Sequence, residues 1–390
     1  MLLLRTAFKN ILGGGKRTWL NVTVLSFTFV IMVAYNGILD GFLEEARRET
    51  QRWETGAGQI QHPEYDRYDM FTLQDAHGVA PLSLQTYLAD KSMTPILILQ
   101  AAIYPQGRFQ NILLKGIDAG QNILELPTAK LRHTGTEIPV IIGQRMAGLA
   151  DLKEGDRVML RWRDKQGVFD AQEIVIAAVF KTKTTTVDAG QMWINITDLY
   201  AMTGMQDEAT YLVKSENCPV VSDIDNWSYK DLKYLLADID LMAKSNQTES
   251  FIIFAILLAI ALLAVFDTQM LSIFRRQKEI GTYVALGMTP KRVSGLFTLE
   301  GTSYSILAVL MAAVWGTPLL YLFAQTGMKM PEVYADMGMG MSDAIYPAYH
   351  VSSIMTSIIV IVVLSAIISY LPARRIAKQN IVFALKGKIN

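Results

Sequence analysis

The chain has 390 residues, of which 51% are hydrophobic and 18% are charged, with 36 basic and 36 acidic side chains. Soluble globular proteins usually contain about 25% charged residues, so this composition is unusually apolar. The single cysteine, Cys218, excludes an intramolecular disulfide and any multi-cysteine zinc or iron–sulfur site. The balanced charge argues against a nucleic-acid-binding protein of the usual basic type.

Four apolar stretches are long enough to cross a membrane. A bilayer core of about 30 Å needs about 20 apolar residues in a helix, and none of the four has a polar face at helical spacing. The stretches are Leu20–Leu39, Phe251–Phe274, Leu296–Ala324 and Val351–Leu371. A long basic segment precedes the first stretch and no A-x-A site follows it, which favours an uncleaved anchor over a signal peptide.

Lysine and arginine in the short connections predict the orientation in the membrane. Residues 1–18, 275–292 and 374–390 together contain 14 basic residues and one acidic residue, and a four-span topology places all three on the same side. Both termini are therefore predicted to be cytoplasmic, with the basic face toward anionic membrane lipid. Residues 41–250 and 325–350 are then on the opposite side.

Residues 41–250 are enough to bury a core of their own. Six segments rich in β-branched residues and bounded by Gly, Pro or Asp predict strands, and Gln144–Leu152 predicts a short helix. The strands are Ile96–Ile103, Asn111–Ile117, Ile138–Gly143, Asp156–Trp162, Glu173–Phe180 and Gln191–Ile196. This region is predicted to be a mixed α/β domain.

The two ends of this region have helical patterns that continue into the neighbouring spans. The apolar positions at one end are Leu39, Leu43, Ala46, Thr50 and Trp53, and at the other Leu232, Leu235, Ile239 and Met242. Matching 4-3 spacings predict an antiparallel helical stalk. Two separate amphipathic helices packed on the domain fit the pattern equally well.

Several segments suggest chemistry that we do not assign. Gly13–Thr18 lacks the first glycine of a phosphate-binding loop, and an arginine follows its lysine, so the chain is not predicted to be an enzyme that hydrolyses ATP by itself. The histidines have no paired metal spacing, and no metal site is predicted. Methionines crowd residues 328–341. Thioethers bind Cu(I), but we favour an adaptable apolar loop.

Two acidic residues, Asp267 and Glu300, lie inside the second and third spans, near one end. Acids within a membrane are costly and point to function by default. At this depth they can also reach the interface or pair with Arg275 or Arg276, and we favour such a structural role.

The strongest functional signal is Arg275–Val293, RRQKEIGTYVALGMTPKRV. Gly287 is placed to end a basic helix, Thr289 to cap a second short helix, and Pro290 to occupy its first position. The segment predicts a compact helix-turn-helix exposed on the cytoplasmic face, small enough to enter a groove of a partner.

These residues resemble the signature of FtsX/MacB-type ABC transporter permeases. The matched residues are Arg276, Lys278, Glu279, Ile280 and Gly281, followed by Ala285, Leu286, Gly287, Met288 and Thr289. Pro372, Ala373 and Arg374 resemble the C-terminal P-A-R motif of the family, and Leu4–Leu20 resembles its N-terminal elbow helix. Three positions, Ala178, Asp267 and Asn380, depart from the usual Gly, Asn and Pro.

The resemblance implies a membrane α-helical fold of four transmembrane helices with a large α/β periplasmic domain. Residues 1–40 would form the cytoplasmic elbow and first span, 41–250 the periplasmic domain with its stalk, and 251–390 the permease domain with a coupling helix at 275–293. It also implies a cytoplasmic ATPase dimer that binds ATP and Mg, with no cofactor on this chain. A second permease subunit, the same chain or a related one, would complete the assembly.

The resemblance further implies residue roles. Arg276, Lys278 and Arg292 would pair with acids on the ATPase, while Gly281 and Gly287 would allow close backbone approach. The whole coupling set is Arg276, Lys278, Glu279, Gly281, Ala285, Leu286, Gly287, Thr289, Pro290 and Arg292. The loop 180–190, with Phe180, Asp188 and Gly190, resembles a loop of lipoprotein-releasing permeases and would contact substrate or a partner.

Among the members of the family, the layout most resembles lipoprotein-releasing permeases of the bacterial inner membrane. This implies mechanical transmission, a lipoprotein or lipid-like substrate and a periplasmic carrier or adaptor. Two alternatives stay open, namely tripartite efflux of a peptide, drug or metabolite, and non-transporting regulation of a cell-wall hydrolase.

Overall fold

The computed structural model describes residues 15–133, 137–220, 222–329 and 344–377. They divide into two units, each treated separately below. The helical unit comprises the described residues up to Phe42, Ala243–Lys329 and those from Ala344 onward. The barrel unit comprises Leu43–Met242. Residues 4–14 of the predicted elbow helix and the methionines from Met330 to Met341 lie outside the described residues, whereas residues 15–20 begin the first helix.

The described residues form ten α-helices and thirteen strands. The helices are α1 (Gly15–Thr50), α2 (Gln85–Ala89), α3 (Gln144–Ala150), α4 (Thr185–Asp188), α5 (Ile196–Thr203), α6 (Leu232–Leu235), α7 (Ala237–Arg275), α8 (Gln277–Ala285), α9 (Pro290–Thr326) and α10 (Val351–Ala377). The strands are β1 (Gln59–Gln61), β2 (Gly78–Val79), β3 (Met93–Ile103), β4 (Gln110–Ile117), β5 (Ile138–Gly143), β6 (Arg157–Arg163), β7 (Phe169–Phe180), β8 (Gln191–Asn195), β9 (Glu208–Ala209), β10 (Tyr211–Lys214), β11 (Ser228–Lys230), β12 (Met328–Lys329) and β13 (Ala344–Ile345). A π-helical turn, Gln51–Thr55, extends α1.

Four helices are long and apolar enough to cross a membrane, which confirms the four predicted spans. They are Thr18–Thr55, Ala237–Arg275, Pro290–Thr326 and Val351–Arg374. Each helix contains the whole of its predicted apolar stretch, and neither Gly41 in α1 nor Pro372 in α10 ends its helix.

Glycines allow close packing inside the helical unit. Gly37 and Gly41 lie one turn apart on α1, and neither has room for a Cβ because residues 346–349 cross there. The N–H of Ala348 donates to the carbonyl of Gly37 at 2.8 Å. Lipid gives helices no hydrophobic reason to associate, so such small-residue contacts hold this unit together.

The barrel unit is built on a nine-stranded sheet of order β11-β1-β10-β3-β4-β8-β5-β7-β6. The first residues of β3 pair with β10, whereas Ala101–Ile103 pair with β6. This second pairing closes β3, β4, β8, β5, β7 and β6 into a six-stranded barrel. Strands β10, β1 and β11 are added outside it.

Two cores lie on opposite faces of this sheet, because successive side chains of a strand alternate. On β3, Leu97 and Leu99 face the barrel interior, whereas Ile96 and Ile98 face outward. Helices α3 and α5 contribute to the interior core. The outer core is covered by Trp53, Tyr65 and the segment around Leu124–Leu131.

All six predicted strands and the predicted short helix are confirmed, within a few residues at their ends. Strands β1, β2, β9, β10 and β11 were not predicted. Each has only two to four residues, which is too short for an alternating pattern to show.

The predicted stalk needs a correction at its second helix. Helix α6 ends at Leu235, Leu236 leaves helical geometry at φ −99° and ψ 12°, and α7 begins only at Ala237. Met242, predicted to lie in the apolar seam, is 59% exposed. A polar contact joins the two helices here instead, with Arg47 Nη2 2.5 Å from Asp240 Oδ1.

Candidate functional site

The predicted coupling segment forms a sharp exposed turn between α8 and α9. Gly287 takes φ +90°, a conformation that favours glycine. Thr289 is extended, at φ −67° and ψ 148°, and Pro290 is the first residue of α9. We call Leu286–Thr289 the coupling turn. The Thr289 side chain makes no capping hydrogen bond, so its contribution is the backbone geometry.

The prediction of a second short helix after this turn is wrong. Pro290 begins α9, the same 37-residue helix that contains the third span. The basic residues after Pro290 lie before the apolar stretch, but they contain no residue that breaks a helix. Ser294 Oγ donates to the Pro290 carbonyl at 2.9 Å within this first turn. The coupling turn is therefore joined directly to a membrane helix.

Most of the predicted coupling residues are accessible. Those exposed are Lys278, Glu279, Ala285, Leu286, Gly287, Thr289, Pro290 and Arg292, with Leu286 81% exposed. Gly281 is buried, so its small size serves packing within α8 rather than direct contact with a partner. A small core lies beneath the turn, formed by Ile273, Ile280, Val293, Phe297 and Ala373.

Arg276 forms ion pairs within the chain, and its predicted role toward an ATPase stays a prediction. Its Nε lies 2.8 Å from Glu279 Oε2, and its Nη1 lies 3.0 Å from Glu300 Oε2. The guanidinium also sits 5.1 Å from the ring centre of Phe297. These contacts explain Glu300 as the buried partner of Arg276, which is the structural role that we favoured for this acid.

Asp267 is exposed on α7, whereas buried polar groups that sequence analysis missed lie near it. Gln269 and Ser369 are fully buried, and within the described residues neither side chain has a hydrogen-bond partner. Both pack against Gly301, which has no room for a Cβ. A sequence signal for this close packing was present, namely the small residues at helical spacing in α9, at positions 301, 305, 308, 312 and 316.

The C-terminal motif lies beneath the coupling turn. Pro372 and Ala373 are buried in α10, and Ala373 belongs to the small core that supports the turn. Arg374 is exposed. The first two motif residues thus act through packing rather than through direct contact.

Phe180 and Asp188 of the predicted substrate loop are buried within the barrel unit, and their contact with a substrate or partner stays a prediction. Phe180 is 6% exposed and stacks on Trp53, with ring centres 5.7 Å apart. Asp188 is 7% exposed, accepts a hydrogen bond from the N–H of Arg145 at 3.1 Å, and has a pKa raised by burial. Gly190, at φ +71°, is exposed, as are Lys181, Lys183 and Thr186 of the same loop.

The loop 180–190 instead holds the end of α1. Lys183 forms an ion pair with Glu45, and Thr186 Oγ1 donates to Glu54 Oε2 at 2.6 Å. Together with the stacking of Trp53 on Phe180, these contacts clamp the last turns of α1 to the sheet.

The beginning of α7 is clamped in a similar way. Arg67 donates to the carbonyl of Leu235 at 2.8 Å and forms an ion pair with Asp238. The Tyr68 hydroxyl donates to Asp238 Oδ1 at 2.8 Å. We call Thr50–Thr55 and Leu235–Ile239, with the side chains that hold them, the stalk junction.

A groove of about 660 Å³ lies on the outer face of the barrel. Phe109 and Phe169 line it and are 60% and 62% exposed. Arg161 and Arg163 line it too, and no carboxylate in the described ranges pairs with either guanidinium. Arg161 lies over the Phe169 ring, and Arg163 donates to Gly167 and Gln74. Asp75 and Asp164 line the groove as well, so it offers apolar rings together with charges of both signs.

Two of the four histidines, His77 and His133, contact acids, and His62 packs against the Trp227 ring. His77 Nδ1 lies 2.6 Å from Glu208 Oε2, and His133 Nε2 lies 2.7 Å from Asp198 Oδ1. Among the described residues, no group of three or more His, Cys, Asp or Glu side chains could hold a metal ion.

Comparison with known proteins gives one family match. Residues 251–381 match the model of the FtsX-like permease C-terminal family. The crystal structure of the extracellular domain of the noncanonic ABC-type transporter YknZ from Gram-positive bacteria is similar over 42% of this chain and 84% of that chain, with 15% identity and a TM-score of 0.27. A search of curated proteins gives no match.

Proposed function

We propose that this chain, whose residues 251–381 form an FtsX-like permease domain of the ABC-transporter type, converts ATP hydrolysis on a separate ATPase into movement of its barrel unit. A cytoplasmic ATPase dimer would bind the ATP and Mg and contact the coupling turn. A second permease subunit would complete the assembly. The exposed coupling turn at the start of α9 is the observation that carries this proposal.

The coupling turn has the features of a docking point. Leu286 is an exposed apolar anchor, and the exposed cations Lys278, Lys291 and Arg292 surround it. A central apolar anchor supplies most of the affinity in such contacts, while surrounding charge speeds and orients association. An acidic groove with an apolar floor is the partner surface that fits.

The stalk junction supports the mechanical part of the proposal. Both helices that enter the barrel unit are clamped to it by ion pairs, hydrogen bonds and a stacked ring pair. A clamped helix transmits rotation or translation to the element that holds it, as in hinge and shear motions of other proteins.

For the substrate we propose lipoproteins that are released from the bacterial inner membrane. The outer groove supports this choice, since its exposed Phe109 and Phe169 suit an apolar segment and its Arg161 and Arg163 suit acidic or polar groups. An acylated polypeptide carries both. A periplasmic carrier or adaptor would receive the substrate.

The coupling proposal is tested with Gly287→Val in the full chain, reconstituted with its ATPase in lipid vesicles. Valine has free space there but is strained at φ +90°, so the turn should distort while the helices stay inserted. We expect ATP hydrolysis to continue without substrate release. The matched control is Gly295→Val, which also has free space and no positive φ. Normal coupled release by the Gly287 variant contradicts the assignment.

The substrate is tested by placing a photocrosslinking residue at Phe109 or Phe169. Capture of an acylated lipoprotein supports lipoprotein release. Capture of an outer-membrane adaptor indicates efflux, and capture of a cell-wall hydrolase indicates regulation, and either result rejects the lipoprotein assignment. A crosslinker at Leu149, exposed on α3 outside the groove, serves as the control position.

A further inference from the structure

A cavity of about 390 Å³ lies at the stalk junction, within the barrel unit. One wall is the outer face of β3, β4 and β8, and the other is formed by the last residues of α1 and the first residues of α7. Lys115 and Gln191 line the first wall, and Glu54, Leu235 and Asp238 line the second. This volume falls in the range of small-molecule sites.

Lys115 is the unusual group in this cavity. It is 4% exposed, and its Nζ lies 5.1 Å from the ring centre of Trp193. Within the described ranges it has no hydrogen-bond acceptor and no ion-pair partner. Burial lowers the pKa of its ammonium group. An ammonium group has three donors, and leaving them unmet in a desolvated site is costly.

Gln191, on the neighbouring strand β8, has a side-chain acceptor that lacks a donor. It is 7% exposed, and its Oε1 is buried with no donor among the described residues. The backbone register pairs Gln191 with Leu113 and Trp193 with Lys115, so both polar side chains emerge on the same face of the sheet. The first wall therefore offers unused donors and an unused acceptor.

Glu54 supplies a negative charge from the end of α1. Its Oε2 is held by Thr186, and its charge opposes the lowering of the Lys115 pKa. No nitrogen–oxygen distance of 4.0 Å or less joins Glu54 and Lys115. Four further charged residues, Asp66, Arg67, Asp69 and Asp238, line the cavity, and Arg67 pairs with Asp238. Lys115 and Glu54 line the same cavity without pairing with each other, so a molecule with a negative group near Lys115 and a positive group near Glu54 would suit both charges.

We propose that this cavity binds a small zwitterion, whose acid group contacts Lys115 and whose primary ammonium contacts Glu54 and Gln191. The acid supplies the acceptor oxygens that Lys115 lacks. The ammonium supplies donors to the Gln191 amide oxygen and to the Glu54 carboxylate. An amino acid or short peptide carries this pair of groups, and so does the phosphoethanolamine head group of a lipid. The inference concerns a ligand of the stalk junction and does not depend on the proposed function.

Such a ligand would connect the sheet to the end of α1, since Lys115 and Gln191 belong to strands and Glu54 to the π-helical turn that ends α1. Its binding would stabilise the clamped state of the stalk junction. The charges and unpaired polar atoms of the cavity define the ligand class.

The test is calorimetric titration of the full chain in detergent micelles with alanine, alanylalanine and phosphoethanolamine. We expect at least one of these zwitterions to bind and to raise the melting temperature. Alanine or its dipeptide points to a peptide source, and phosphoethanolamine to a lipid source. Propionate and ethylamine, each with one of the two charges, should bind at least tenfold more weakly. Absence of binding by all three zwitterions overturns the proposal, and so does equally tight binding of propionate.

Variants test the assigned residues. Lys115→Met and Glu54→Gln should each weaken the binding of the zwitterion at least tenfold. Lys91→Met is the control, because Lys91 is an exposed lysine outside the cavity and should leave binding unchanged. Unchanged affinity of the Lys115 variant overturns the assignment.

A labelling measurement keeps the test valid if a variant fails to fold. Acetylation of Lys115 in the unmodified chain, followed by mass spectrometry of its peptides, should slow at least fivefold when the zwitterion is bound. Acetylation of Lys91 should stay constant. Equal protection of both lysines, or of neither, counts against the site.

Discussion

The coupling turn and the stalk junction both lie at the end of a long helix, yet they are built in opposite ways. The coupling turn exposes its apolar anchor Leu286 and leaves its nearby cations Lys278 and Arg292 in solvent. The stalk junction pairs its charges internally, as Lys183 with Glu45 and Arg67 with Asp238. The coupling turn is suited to reversible association with a partner, and the stalk junction to a permanent connection within one chain.

The largest expected effect concerns the support beneath the coupling turn. Glu300→Gln removes the buried carboxylate that pairs with the half-buried Arg276, and breaking such a pair costs about 3 kcal/mol of unfolding free energy. Thermal unfolding of the purified chain measures this loss. Glu279→Gln, which removes the exposed partner of the same arginine, should cost less than about 1 kcal/mol. Similar losses in both variants contradict our view that Glu300 is the structural partner.

The next variant should weaken binding of the ATPase without lowering the stability of the chain. Leu286→Asp should weaken binding of the ATPase by about 2 kcal/mol, roughly 30-fold, because an exposed anchor is lost from the centre of the contact. The unfolding temperature should not change. Leu149→Asp is the matched control, since Leu149 is 69% exposed but lies on α3. Binding measured by titration with the proposed partner ATPase decides the outcome, and equal effects at both leucines reject the docking role.

A smaller effect is expected at the stalk junction. Thr186→Val removes the hydroxyl that donates to Glu54 and should lower stability by about 1 kcal/mol or less. Because the clamp on α1 loosens, substrate release per ATP should fall more than stability does. Thr186→Ser keeps the hydroxyl and should restore both. If release per ATP is unchanged in the valine variant, the clamp does not take part in transmission.

The smallest effect is a pH dependence from Asp188. Burial raises the pKa of this carboxyl in the folded state above its ordinary value of 3.8. The folded state therefore binds the proton more tightly than the unfolded state, and stability is lost as the pH rises from 3.8 through the raised pKa. Asp188→Asn keeps an acceptor for the N–H of Arg145 and should remove this decline. Unfolding curves at several pH values above 3.8 compare the two chains, and identical slopes exclude the effect.

The same two regions show what the sequence could and could not predict. The spans, the strands and the Gly287–Pro290 turn follow from local patterns, because apolar length, alternation and capping residues act over short distances. The FtsX-like resemblance likewise rests on short motifs, and the match over residues 251–381 confirms it. The continuous helix after Pro290 does not follow from these patterns, because the polar residues between Pro290 and the apolar stretch suggest that a separate short helix ends there.

Contacts distant in sequence could not be predicted from one chain. Trp53 meets Phe180, Lys183 meets Glu45, and Ala101–Ile103 of β3 pair with β6 to close the barrel. None of these pairings has a local signature, since each depends on how separate elements pack. The burial of Asp188 was unpredictable for the same reason, because its partner is the N–H of Arg145.

The continuity of α9 from the coupling turn has a consequence in simple lever mechanics. Pro290 to Pro318, the part before the internal proline, covers about 28 helical steps and is about 42 Å long at 1.5 Å per residue. A tilt of about 5° imposed at the coupling turn would move the other end of this segment by about 4 Å. That sideways displacement is nearly half of the about 8–10 Å that separates the axes of two packed helices, so a slight rotation at the first residue would suffice to change the packing of side chains at the far end.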